Sequence, residues 1–384
     1  MDKNCFDYII CGGGASGLLL AQQLIADPFF SDKDILLIEK EIKIQNDRTW
    51  CFWEPKSGKF DALLHHKWAL GNFKSNDFTF DFDFNPLEYK MLRSASFYKK
   101  IYGELEDAKN CTLIRETIVN IESKIDGVTV HTEGQTFEAK KGFSSLLNPK
   151  LLAQQTKYPV LQQHFLGWFV ETQADCFESN RITFMDFSIP QKGNTRFLYV
   201  LPFDSKRALL EYTLFSGDIL NKEAYEEGIK SYLSDLGISN YKIIEKEQGT
   251  IPMCSYPLHQ QNTEHLIHIG TAGGWTKAST GYTFKNTQLK TLDLVTFLKT
   301  NRSFKKFQKT NRFWIYDLLF LDVLHKHNAD GSALFSRLFE KINPNLIFSF
   351  LSEQTSFGEE LKIMSSFRPN QIWFFVVAAL KRLF

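Results

Sequence analysis

The stretch Asp7-Tyr8-Ile9-Ile10-Cys11-Gly12-Gly13-Gly14-Ala15-Ser16-Gly17 decides the fold. Tyr8 to Cys11 reads as a buried parallel strand, and Leu18 to Leu24 reads as a helix packing back on it. Between them glycines stand at 12, 14 and 17. A strand that feeds a helix through such a turn leaves backbone N–H groups unpaired at the helix N-terminus, where the helix dipole favours an anion. Gly12, Gly14, Ala15, Ser16 and Gly17 are therefore the expected pyrophosphate cradle of a dinucleotide. The second strand, Asp34 to Lys40, ends in Glu39, placed 22 positions after Gly17, where a carboxylate accepts from a ribose hydroxyl. Lys40 follows it as a further candidate contact. A motif this close to residue 1 suggests FAD rather than NAD, by analogy with flavin folds that open in the same way.

Working outward, 384 residues suffice for a large core and two lobes. The net charge of +1 argues against nucleic acid as a partner. Six scattered cysteines without a CxxC pair argue against zinc or a disulfide framework and fit a reduced cytoplasm. The close pairs His265/His268 and His325/His327 bring no further ligands, so no metal is expected. The 36 phenylalanines fit either a Phe-rich core or an aromatic cavity for a large apolar substrate. No signal peptide is expected, because the N-terminus enters the first strand directly. No apolar run reaches the ~20 residues of a spanning helix. The run Ile372 to Leu380, closed by Lys381-Arg382-Leu383-Phe384, suits either a helix docked on the protein core or, the favoured reading, one lying in a membrane interface with its cations at the headgroups.

Asn46 to Glu54 is charged, then aromatic, and is expected as a loop that carries Arg48, a candidate cofactor contact. Asn85 to Tyr102 is expected as one helix, with Arg93 a candidate flavin-phosphate contact. Cys111 to Glu122, Gly127 to Glu133 and Gln135 to Lys141 alternate as strands do. Phe165–Glu171, Arg181–Phe187, Arg196–Leu201 and Ala208–Phe215 read as an antiparallel sheet. An amphipathic helix over Asn221–Leu236 and a strand over Tyr241–Ile251 follow. The chain then returns to the first lobe through a second glycine-rich turn. Gly270, Gly273 and Gly274, with Thr280, Gly281 and Tyr282, are the expected contacts near a flavin's ribityl phosphate and ring. A helix over Thr283–Lys299 follows, and residues beyond Arg302 read as helical. The expected division is a discontinuous FAD-binding domain (1–85, 103–150, 250–300), a substrate domain (86–102, 151–249) and a helical C-terminal region (301–384).

Several motifs in series resemble the lycopene cyclase family of flavoproteins, and in particular its bacterial β-cyclase branch. They are Gly12 to Gly17, Asn46 to Glu54 (NDRTWCFWE), Gln163 to Trp168, Met185-Asp186-Phe187, Leu201-Pro202-Phe203, Leu209 to Thr213, Gly249 to Met253, and Gly270 to Phe284. The resemblance implies an α/β fold with a Rossmann-like, glutathione-reductase-type FAD domain and an antiparallel substrate domain. It also implies acid-catalysed closure of β-rings on the ends of lycopene, giving γ- or β-carotene. It implies reduced FAD as the working cofactor, with NAD(P)H as reductant and no net redox change. The family's FLEET-type acidic motif falls on Leu209-Leu210-Glu211-Tyr212-Thr213, so Glu211 is the implied catalytic acid, and Tyr212 replaces the second carboxylate.

Such chemistry starts by protonating an alkene, which requires a carboxylic acid that burial keeps neutral. Strand alternation puts Leu210 and Tyr212 on the face opposite Glu211. Asp186 is a second candidate, as an orienting group or cation stabiliser, and Trp50, Trp53, Phe187 and Trp275 are candidates for the cavity wall. An apolar substrate places the enzyme peripherally on the cytoplasmic side of a membrane. The competing readings are an FAD-dependent monooxygenase or other oxidoreductase, and a membrane-bound flavin-binding protein without chemistry of its own.

Overall fold

The computed structural model describes residues 4–383, so Met1 to Lys3 and Phe384 lie outside it. Its first sheet has seven strands, in the order Cys111–Ile114, Ile35–Ile38, Cys5–Cys11, Thr136–Ser144, Val128–Thr132, Ile118–Ser123, with Leu266–His268 also pairing with Thr136–Ser144. Cys5–Cys11 runs parallel to both Ile35–Ile38 and Thr136–Ser144. Ile35–Ile38 is buried at every position, as a strand covered on both faces must be. The helices Ala15–Ala26 and Phe284–Leu298 pack on one another beside this sheet.

The second sheet also has seven strands, Tyr241–Met253, Leu161–Thr172, Arg207–Ser216, Thr195–Pro202, Arg181–Asp186, Leu70–Lys74 and Thr79–Asp83. Its strands are antiparallel neighbours except Arg181–Asp186, which runs parallel to Leu70–Lys74. The sheet alternates strictly along Arg207–Ser216. Leu210, Tyr212 and Leu214 turn to the helix Lys222–Asp235 and its Tyr225, Ile229 and Tyr232. Leu209 and Phe215 turn the other way, into the core shared with the C-terminal helices.

A small sheet of Thr49–Pro55, Leu87–Arg93 and Leu64–Trp68 touches both: Trp50 packs in the core of the first lobe, and Thr49 bonds to Glu247 of the second sheet. It corrects two expectations. Thr49–Pro55 is a strand rather than a loop, and Leu87–Arg93 is its antiparallel partner, the helix starting only at Ser94. Trp50, Phe52 and Trp53 find buried partners only through that pairing, which no local pattern announces. The C-terminal region is five helices, Arg312–Lys326, Gly331–Lys341, Pro344–Leu351, Phe357–Ser365 and Pro369–Leu383. Among the described residues, no helix is long and apolar enough to cross a membrane.

Candidate active site

The glycine turn has the geometry of an anion cradle. Gly12 has φ +100°, a value that a side chain resists. A Cβ on Gly17 would lie 1.9 Å from the Gly12 carbonyl oxygen, so only glycine lets the helix seat on the strand. Around Gly14 there is open space, and the helix Ala15–Ala26 has no side-chain cap, leaving its first amides as donors. Glu39 is buried and accepts from the Gly13 N–H at 2.7 Å, which holds its carboxylate beside the turn. Gly270 lies against Ser16: a Cβ there would meet the Ser16 Oγ at 2.5 Å. The two glycine-rich turns, some 250 residues apart in the chain, are thus one surface.

The basic residues expected at the cofactor are engaged differently. Lys40 is exposed and pairs with Glu41 at 3.1 Å, and Arg48 is exposed and donates to the Asp47 carbonyl at 2.6 Å. Arg93 is buried away from the glycine turn. From the end of its strand in the small sheet, its guanidinium reaches the second sheet, where it pairs with Glu245 and lies 4.4 Å over the Phe169 ring.

A cavity of about 110 Å³ opens where the lobes meet. The second sheet contributes Gln163, Tyr199, Glu211 and Glu247, the small sheet Thr49, Trp50 and Tyr89, and the second glycine-rich loop Thr280 to Phe284. Gly281, at φ +73°, brings that loop so close that a Cβ would lie 2.0 Å from the Gln163 Oε1. Lys277 and Ser279 pin the loop to the helical region through Asp317, at 3.1 and 2.8 Å. Gly273 and Gly274 shape the turn that precedes it, Gly274 as a left-handed cap at φ +70°.

Glu211 projects into this cavity, half-buried, and accepts from the Thr213 hydroxyl at 2.8 Å. Burial, and next the neighbouring carboxylate of Glu247, push its pKa up to about 8. Both causes favour the neutral carboxylic acid over the carboxylate. Glu247 was not foreseen. Burial raises its pKa too, while the Thr49 hydroxyl, donating at 2.6 Å, and Arg93 favour its charged form.

A second cavity of about 350 Å³ adjoins the first, since Tyr199, Thr280 and Tyr282 line both. Its wall is almost wholly apolar: Phe184, Phe215, Phe320 and Phe335, with Phe375 and Ala379 from the last helix. Trp50 lines the first cavity, and Trp53 lies nearby, edge-on to Tyr282 at 4.6 Å. Phe187 and Trp275 line neither cavity. Phe187 stacks in the core on Phe335, and Trp275 donates to Gln308 at 3.1 Å.

Asp186 is also elsewhere, which corrects its expected place at the reaction. It is on the helix-covered face, where Tyr232 donates at 2.7 Å and the Ser188 N–H at 2.9 Å, with Lys74 at 3.8 Å. Its oxygens are spent on joining helix to sheet. Among the described residues no group of three or more His, Cys, Asp or Glu side chains is arranged to hold a metal ion.

Known proteins repeat this architecture. A geranylgeranyl bacteriochlorophyll reductase-like protein from Thermoplasma acidophilum matches with a TM-score of 0.66 at 12% identity, over 94% of this chain and 96% of its own. A p-nitrophenol 4-monooxygenase from Pseudomonas putida matches with a TM-score of 0.60 at 13% identity, again over 94% and 96%. These likenesses establish the Rossmann-like α/β fold. In sequence, a lycopene beta cyclase of Capsicum annuum is 24% identical over 91% of this chain and 74% of its own. A lycopene beta-cyclase of Paracoccus sp. is 22% identical over 72% and 69%. The model of the lycopene cyclase protein family matches residues 7–378, which takes in both glycine turns, both carboxylates of the cavity and two thirds of the last helix. The chain belongs to the lycopene cyclase family.

Proposed function

We propose that the protein is a lycopene β-cyclase, an isomerase that closes rings on the ends of a linear polyene by proton transfer. The observation that carries this reading is the placement of Glu211, whose burial favours the carboxylic acid, in a cavity that adjoins a larger apolar one. Together the two cavities, about 110 and 350 Å³, fall in the range of small-molecule sites. The apolar one suits the hydrocarbon chain, and the narrow one its reacting end.

In this reading the Glu211 carboxyl gives its proton to a terminal C=C. The resulting cation is captured by an internal C=C, which closes the ring. A ring proton then passes to a carboxylate of the cavity, so the substrate's mass is unchanged. The rings of Trp50, Tyr89, Tyr199 and Tyr282 border the cavity, and a desolvated aromatic face stabilises a cation by ~0.5–2 kcal/mol. The apolar wall keeps out water that would otherwise trap the cation.

FAD fits the residues present. The Gly12–Gly17 turn and Glu39 would hold its ADP half, and Gly270 to Gly274 with Thr280 to Tyr282 the flavin half. The buried Gln163 Oε1 and Thr280 Oγ1 at the cavity have no partner in the protein and are available to a ligand. In its reduced form, restored by NAD(P)H, the flavin would supply negative charge in a dry site, where Coulomb terms are strong. Catalytic rather than stoichiometric NAD(P)H should then suffice, and protein held with oxidised FAD should give no product.

We also place the protein peripherally on the cytoplasmic side of a membrane. Phe357 and Leu361 on one helix and Trp373 and Leu380 on the next are exposed, and the half-exposed Ile372 and Val376 also line the apolar cavity. Arg382, expected at the headgroups, is instead bound to Asp322 through two contacts of 2.6 Å.

Expression in a lycopene-accumulating cell tests the reading. A shift from red to orange-yellow with unchanged carotenoid mass is expected. Unaltered lycopene, or a product heavier by one oxygen, would reject it.

A further inference from the structure

Residue 167 is the middle of a three-residue row across the second sheet. Gly167 pairs with Glu211 on one side and with Glu247 on the other. Neighbouring strands lie about 4.8 Å apart, and residues in register share a face. The two carboxylates therefore stand on the same face, with no side chain between them. The gap is used: a Cβ on Gly167 would come within 3.1 Å of the Glu247 Cγ and 2.9 Å of a Leu209 methyl. Both carboxylates line the same cavity, and the buried Glu247 Oε1 has no partner in the protein.

The surroundings of the two are unequal. Burial and the Glu245 carboxylate, itself paired with Arg93, raise the Glu247 pKa, while the Thr49 hydroxyl at 2.6 Å and the Arg93 guanidinium favour its charged form. Glu211 has only the Thr213 hydroxyl; the other groups electrostatically linked to it are the neutral Cys51, Tyr199 and Tyr282. Tyr89 completes that neutral rim. Two close buried carboxylates do not both ionise readily, so they hold one proton between them. Among the described residues, the Thr49 hydroxyl and the Arg93 guanidinium sit beside Glu247 and no cation sits beside Glu211, an asymmetry that favours the shared proton on Glu211.

We propose that Glu247 is a positioning residue: ionised, and laid over the bare backbone of Gly167, it keeps the facing Glu211 in its carboxylic-acid form. The proposal rests on Glu211 being the acid of the reaction above. It assigns to the Tyr241–Met253 strand the second carboxylate that Tyr212 does not supply.

Two measurements test it. The first is the pH dependence of kcat for lycopene in liposomes with reduced enzyme. Glu247→Gln should move the high-pH edge down by at least one unit, with KM little changed, and Glu247→Asp, which restores the charge, should bring the edge back. An unmoved edge in Glu247→Gln, or a rise in KM alone, would overturn the proposal. The second needs no turnover. An infrared carboxyl C=O band should persist at pH 7 in the wild type, vanish in Glu211→Gln and be lost at pH 7 in Glu247→Gln. Its absence from the wild type, or its persistence at pH 7 in Glu247→Gln, would likewise overturn it. If no cyclised product ever forms, the functional reading fails while the infrared titration still decides the pair.

Discussion

The two faces of the antiparallel sheet are built from the same strands, yet they treat polar groups in opposite ways. On the face under the helix Lys222–Asp235, most buried polar side chains are matched, the Trp168 Nε1 being an exception. Asp186 is held by Tyr232 and Ser188, His164 by Tyr225 and by Ser216 at 2.7 Å, and Tyr212 by Arg196 at 3.1 Å. Burial also drives the His164 pKa down to about 4, so that ring stays neutral. On the opposite face the Gln163 Oε1, Glu247 Oε1 and Thr280 Oγ1 at the cavity are left without protein partners. An unmatched buried polar atom costs about 1–3 kcal/mol. A fold that matches most such groups on one side and gathers several unmatched ones around a cavity on the other has reserved that cavity for something it binds.

The sharpest way to break this contrast is Glu211→Gln. Loss of a general acid should lower cyclisation by about 10³-fold, measured as product per hour at saturating lycopene. The same change should stabilise the protein at alkaline pH. A carboxyl whose pKa is raised on folding favours the folded state below its unfolded value, near 4.5, and loses that favour as pH rises through about 8. Glu211→Gln should therefore melt above the wild type at pH 9 and with it at pH 4, by calorimetry. Equal melting at both would deny that the group is buried as an acid.

Filling the apolar cavity should have the next largest effect. Ala379→Trp puts a ring into the space lined by Phe320 and Phe375. KM for lycopene should rise about tenfold through lost apolar contact, with the pH edge unmoved. A change in the edge would tie the helices to the acid more directly than the geometry does.

On the matched face, Tyr232→Phe removes one hydrogen bond to Asp186 and should cost about 1–2 kcal/mol in urea unfolding. Activity per folded molecule should stay as it was. A loss of kcat there would return Asp186 to the reaction.

The smallest effect is expected at the surface. Replacing Trp373 and Leu380 by Ser should weaken binding to liposomes about tenfold in a flotation assay, leaving detergent-solubilised activity intact. Unchanged flotation would remove the last helix from any membrane contact.

How much was legible in the sequence follows from where each signal resides. The glycine turns, Glu39 and the parity of Glu211 against Tyr212 are local, set by consecutive backbone geometry, and they stand where the sequence put them. Thr49–Pro55 and Leu87–Arg93 were misread because each is a strand only in the presence of the other. Asp186 was misplaced for a related reason, since a carboxylate in a strand can serve either face and only Tyr232 decides which. Glu247 was missed because Glu245-Lys246-Glu247 reads as the solvated side of an edge strand. Parity with Ile251, which lines the cavity, was the one clue available.

The three residues common to both cavities, Tyr199, Thr280 and Tyr282, also set a ruler. A polyene offers many alkenes of similar reactivity, and no side chain needs to tell them apart. If the chain passes from the apolar cavity between those three side chains to the proton donor, what is protonated is whatever the chain's length delivers there, and an end arrives first. Selectivity for termini would then be a matter of reach, open to adjustment by widening or tightening the neck rather than by altering the acid.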